Sequence, residues 1–97
     1  MARTITPTPL PKKPTIASVA EFGAFVRSLR TRHGLRIDDA AALCGVSVAL
    51  LSALENGKPR GVGLDKALRI ADQLGLALLA VPQTTLRETL ACLEHKE

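Results

Sequence analysis

Apolar and small residues recur through the middle of the chain at Ile37, Ala40, Ala41 and Cys44, and again at Val46, Leu50, Leu51 and Leu54. These three- and four-residue spacings are those of two helical faces that meet. Gly45 interrupts them. A residue at that break must leave the first helix with a positive φ, which costs glycine little, and Ser47 stands where it can cap the helix that follows. Ala41 is small where two helices would cross. Residues 37–57 therefore predict two short helices joined by a tight turn, the arrangement in which a second helix can enter a DNA major groove.

The same pattern places the other elements. Ser18 and Glu21 form a capping box that opens a helix running to about His33, with Val19, Phe22, Val26 and Leu29 as its buried stripe, Phe25 broadening it, and Gly34 as its stop. Arg27, Arg30 and Arg32 fall off the stripe and are expected in solvent, with a phosphate contact as the alternative for one of them. Residues 58–63 read as a basic loop by their glycines and Pro59. A fourth helix is predicted over Leu64–Leu74, with Leu64, Ala67, Leu68, Ala71 and Leu74 inward, Asp65 near its positive end and Gly75 closing it.

Leu76 to Val81 is a run of six apolar residues without alternation, closed by Pro82, and it predicts a strand. A lone strand leaves its backbone groups unpaired, so the economical arrangement pairs Leu76, Leu78, Leu79 and Val81 with the same strand of a second molecule. The alternative is that this stretch extends the fourth helix or packs irregularly. Thr85 to Glu88 has the form of another capping box. With Leu86, Leu90 and Leu93 on one face it predicts a short amphipathic tail helix, packed on its own dimer or offered to a protein partner.

Composition narrows the class. Ninety-seven residues, 46% apolar with two Phe and no Trp or Tyr, describe one domain with a core of Leu, Ala, Val and Ile. Residues 1–36 carry seven basic residues against one acid, which can attract a polyphosphate or simply coat a solvated face. Four prolines among the first 16 residues (Pro7, Pro9, Pro11 and Pro14) predict a mobile arm outside the core. Its Arg3, Lys12 and Lys13 either lie along phosphates or a minor groove, or the arm is a plain disordered tail. The organisation expected is thus a flexible arm over 1–16, a helix-turn-helix domain with its dimerisation strand over 17–82, and a short helical tail over 83–97. Two cysteines without CxxC spacing, and an opening with no long apolar run, point to a reduced cytoplasmic chain that is not membrane-bound.

Gly34-Leu35, Ala41, Gly45-Val46-Ser47, Leu51-Ser52, Leu54-Glu55 and Gly57-Lys58 together resemble the signature of the XRE helix-turn-helix family, the Cro and lambda-repressor type, over roughly residues 20–75. The sequel from Leu64 to Val81 is similar to HipB-type antitoxins. The resemblance implies an all-α, lambda-repressor-like bundle of four to five helices with a short C-terminal strand paired across a dimer. It also implies a repressor that binds double-stranded DNA at its own promoter, as a homodimer, in an operon with a HipA-like kinase toxin. Glu55 matches an acidic residue with a structural role in that family.

The recognition helix of such a protein starts near Ser47, and its outward residues here are Ser47, Val48, Ala49, Ser52 and Asn56. Ile37 and Val48 stand where the family commonly has a polar pair, and neither makes a hydrogen bond with its side chain. Base-edge contacts are therefore expected from Ser52 and Asn56, methyl contacts from Ala49, and phosphate contacts from Arg36, Ser47, Lys58 and Arg60. That departure leaves open a second reading, a protein-interaction module that neutralises a partner without tight operator binding. No metal or other cofactor is expected, and no enzyme. His33 and His95 lack companions at ligand or acid–base spacing, and Cys44 reads as a core residue. The absence of Tyr and Trp disfavours single-strand and RNA binding.

Overall fold

The computed structural model describes residues 4–58 and 61–94. Five helices follow in order: α1 (Val19–Arg32), α2 (Ile37–Cys44), α3 (Val48–Glu55), α4 (Leu64–Leu74) and α5 (Leu86–Glu94), the last preceded by a single 3-10 turn, Gln83–Thr85. Side-chain caps open α1 and α3. The Ser18 hydroxyl oxygen accepts from the Glu21 N–H, and the Glu21 carboxylate accepts from the Ala17 N–H, one residue earlier than the N-cap amide of a reciprocal capping box. Ser47 caps α3 by accepting from the Leu50 N–H at 3.0 Å.

The turn between α2 and α3 depends on Gly45, whose φ of 71° lies in the left-handed region. Its N–H donates to Ala42 and that of Val46 to Ala41, which satisfies the last carbonyls of α2 and turns the chain through 111° into α3. The same pair of bonds closes α4 at Gly75 and Leu76.

Phe22 and Val26 from α1, Ala40, Ala41 and Cys44 from α2, Leu51 and Leu54 from α3, and Ile70, Ala71 and Leu74 from α4 form one core. In it α1 packs on α3 and α4, and α2 on the same two. α1 and α3 cross closely: a Cβ on Gly23 would collide with the carbonyl of Leu54. Cys44 is buried there, and that burial pushes its thiol pKa up. Among the described residues no buried side-chain polar atom lacks a partner.

Several expectations are corrected. In α4 the buried face is Ile70, Ala71 and Leu74, while Leu64, 72% exposed, and Leu68 point away from the core. Packing selects the stripe centred on Ile70, and the leucines at the start of the helix are left on the rim. In α1, Val19 is exposed and Ser28 and Thr31 are buried in its place. Arg30, expected in solvent, is enclosed against Glu55.

Within the single chain the strand expected over Leu76–Val81 is not formed. Residues 76–82 run irregularly from α4 to the 3-10 turn, because a strand is a property of a hydrogen-bonded pair and no segment among the described residues supplies the other member. Leu76 packs against the core and Val81 is half-buried, while Leu78 and Leu79 are exposed. Nor is the capping box at Thr85 made: Thr85 is the last residue of the 3-10 turn, and its hydroxyl donates to the Pro82 carbonyl.

The N-terminal segment touches the bundle at Thr8. Its N–H donates to the Thr31 hydroxyl and its carbonyl accepts from the Ser28 hydroxyl, both at 2.8 Å. Pro7 and Pro9, on either side, have no N–H to give, so Thr8 is the donor available at this crossing. No single helix among the described residues is long and apolar enough to cross a membrane.

Candidate nucleic-acid interface

Leu50, Leu51 and Leu54 commit one side of α3 to the core, and helical periodicity then turns Val48, Ala49, Ser52 and Asn56 the other way. Ser47, Val48, Ala49 and Asn56 are exposed, and Ser52 and Ala53 are half-buried. The 111° bend at Gly45 is what lifts this face clear of α2. Four of the five residues expected to read or touch DNA from this helix therefore share one face, and the fifth, Ser47, is exposed at its start.

Their hydrogen-bonding capacity is partly spent within the chain. Ser47 Oγ accepts from the Leu50 N–H, leaving its hydroxyl proton to donate outward. Asn56 Nδ2 donates to the Ser52 carbonyl at 2.8 Å and, more weakly, to Ser52 Oγ at 3.4 Å. The first turn of α3 thus presents Val48, 43% exposed, and Ala49 as its leading surface.

Basic groups flank the face. Arg36 occupies the N-cap position of α2 without capping it, its side chain out in solvent and 3.9 Å from Asp38. Lys58, directly after Gly57, is exposed. Arg60 and Arg3 lie outside the described residues. Between the start of α2 and the end of α3 is an open cleft of about 460 Å³, lined by Arg27, Arg36, Ile37, Asp38 and Asn56 and edged by Ile5 of the N-terminal segment. The Arg30–Glu55 pair also lines it.

The cleft can accept a phosphate only against some opposition. Its arginines and the positive end of α2 attract one, while Asp38 and Asp39 in the first turn of α2 stabilise the helix dipole and repel it. Those two aspartates were not anticipated as part of the site, although acidic residues opening a helix are a readable signal. Gly23 was missed as well. A glycine inside a helical stripe, where alanine would be the better helix former, indicates a close approach.

A family model described as a helix-turn-helix domain matches residues 21–83. The chain is also similar to an uncharacterized HTH-type transcriptional regulator, y4mF, of Sinorhizobium fredii (strain NBRC 101917 / NGR234). The two are 35% identical over 63 residues, which covers 65% of this chain and 82% of that protein. The matched span runs from two residues into α1 through α4 and includes the whole outward face of α3, and on that footing the chain belongs to the helix-turn-helix family.

Proposed function

We propose that this chain is a transcriptional repressor that binds double-stranded DNA at its own promoter as a homodimer. The observation that carries the reading is the presentation of α3. Its N-terminal turn is accessible, a core-packed face holds it from behind, and Arg36 and Lys58 stand beside it to meet phosphates. The relative in Sinorhizobium fredii, a transcriptional regulator by name, supports the same assignment. In a dimer, two copies of α3 would enter successive major grooves roughly 34 Å apart on a pseudo-palindromic site. The exposed Leu78 and Leu79 are the apolar groups we assign to the contact between copies.

The operon setting we assign is that of an antitoxin in a HipBA-like system, with a HipA-like kinase toxin as protein partner. Its support is the likeness of Leu64–Val81 to HipB-type chains.

Titration of the full chain on DNA upstream of its own gene, in a salt series, tests the reading. Affinity should fall steeply with salt, and Arg36→Ala or Lys58→Ala should weaken binding to all duplexes alike. Salt-independent binding, or none, overturns it.

One feature favours a second reading as an interaction module for a partner protein. The C-terminal segment exposes Leu78, Leu79 and Leu93, and α5 packs chiefly on its own leading turn. A tight complex with the product of the neighbouring gene, without any promoter shift, selects that version.

A further inference from the structure

The leading surface of α3 is apolar where a DNA-reading helix needs chemical discrimination. The side chains of Val48 and Ala49 carry only carbon and hydrogen, and neither side chain can pair with the N7, O6, N6, N4 or O4 groups that distinguish bases in the major groove. Ser52 and Asn56, which could, are joined to one another: the Asn56 amide is directed at the Ser52 carbonyl and hydroxyl. One apolar group in the major groove differs between bases, and it is the 5-methyl of a pyrimidine.

We propose that α3 selects duplex DNA by the 5-methyl group of thymine or 5-methylcytosine, packed against Val48 and Ala49. The inference rests on the DNA-binding reading above and adds the chemistry of its specificity. Discrimination has two sources. A methyl group placed against Val48 leaves water and gains apolar contact. A base edge that puts a bare donor or acceptor there loses its water without a replacement, because neither side chain offers one. Arg36 and Lys58 supply the sequence-independent attraction that brings the duplex to this surface. Val48 is more than two-fifths exposed, so shortening it alters the reading surface without opening a hole in the core.

The test uses the full chain. Sequences bound from a random duplex pool at low salt are recovered, and each thymine of the selected site is replaced singly by deoxyuridine, which removes only the methyl. At cytosines of the same site, 5-methylcytosine is introduced instead. Binding should weaken about fourfold for each contacted methyl removed from thymine, or tighten about as much where cytosine gains one. The first result identifies thymine as the source and the second methylated cytosine. Val48→Ala should flatten the response at that position while leaving the salt dependence intact. Sequence-selective binding that ignores both replacements at every position overturns the proposal, as does equal binding to all duplexes, and both leave the DNA-binding reading standing. Failure to bind any duplex at low salt overturns that reading and the proposal together.

Discussion

Arg30 of α1 holds Glu55 of α3 through two parallel bonds, Nε to Oε2 at 2.6 Å and NH2 to Oε1 at 2.9 Å, while its remaining nitrogen donates to the Leu35 carbonyl at 2.9 Å. The side chains are 12% and 4% exposed. A bidentate guanidinium–carboxylate pair fixes angle as well as distance. It ties the end of the outward helix to α1 and to the loop that leads into α2. Attraction within such a pair is largely offset by the cost of desolvating it, so its value lies in being complete.

Breaking the pair from one side should therefore be far more damaging than replacing it. Arg30→Ala leaves the Glu55 carboxylate enclosed without its cation and should lower stability by about 3 kcal/mol in urea unfolding. Replacing both together, Arg30→Met with Glu55→Leu, should recover most of that loss. A single variant as stable as the parent would show that the pair is not enclosed in solution.

Gly23→Ala tests the crossing of α1 and α3. Alanine is the better helix former by about 1 kcal/mol in an exposed helix. Here its methyl would meet the Leu54 carbonyl, backbone that cannot swing aside. The expected outcome is a loss of about 2 kcal/mol or more, seen as a fall in Tm. A rise in Tm would mean that the helices stand further apart.

The central unit was legible in the sequence because each of its signals is local. Gly45 and Ser47 act on residues within a turn of themselves, and the Ala40–Ala41–Cys44 and Leu50–Leu51–Leu54 spacings record burial directly. What failed was decided at a distance. Arg30 and Glu55 are 25 positions apart, and nothing within a helical turn of Arg30 announces a partner. On α4, Ala67, Ala71 and Leu74 were placed inward correctly, but Leu64 and Leu68 were included and Ile70 omitted, because docking against α1 and α2 chooses the edge of the face. The run from Leu76 to Val81 carries strong apolarity and no periodicity, so it could not specify a conformation without a partner. Along α3, which residues turn away from the core was readable. The mutual engagement of Ser52 with Asn56, and the place of Asp38 at the edge of the cleft, emerge only in the folded chain.

Asp38 lines the cleft expected to take a phosphate, and its pairing with Arg36 at 3.9 Å is solvent-exposed and weak. Asp38→Asn removes a repulsive charge while keeping a side chain able to accept a hydrogen bond near the start of α2. Affinity for duplex DNA should rise severalfold at low salt, with the gain shrinking as salt screens it. Weaker binding in an electrophoretic shift assay would show that the carboxylate itself makes a contact.

The two cysteines should differ sharply in reactivity. Cys44 is buried and its thiol pKa is raised by that burial above the ordinary value of 9.0, whereas Cys92 is exposed on α5. A thiol reagent at neutral pH should modify Cys92 at once and Cys44 only through unfolding. The same shift carries a pH dependence. Below the ordinary thiol value both folded and unfolded chains hold the proton, and stability is undiminished. As pH rises past that value the unfolded chain releases its proton first, so this contribution is lost progressively until the folded thiol also ionises. Cys44→Ala should abolish that alkaline loss, measured as the difference in unfolding midpoint between neutral and high pH.

Leu79 offers the sharpest separation of fold from assembly. At 71% exposed it contributes little to the core of a single chain, so Leu79→Asp should leave monomer stability within about 0.5 kcal/mol. If two copies meet at Leu78 and Leu79, the same substitution buries a carboxylate against apolar surface and should convert dimer to monomer in light scattering. DNA affinity should then fall, because each copy would bind its half-site alone, while the helical signal in circular dichroism stays unchanged. A dimer of unaltered mass would remove Leu79 from the interface. A parent chain that is already monomeric at micromolar concentration would remove the dimer itself.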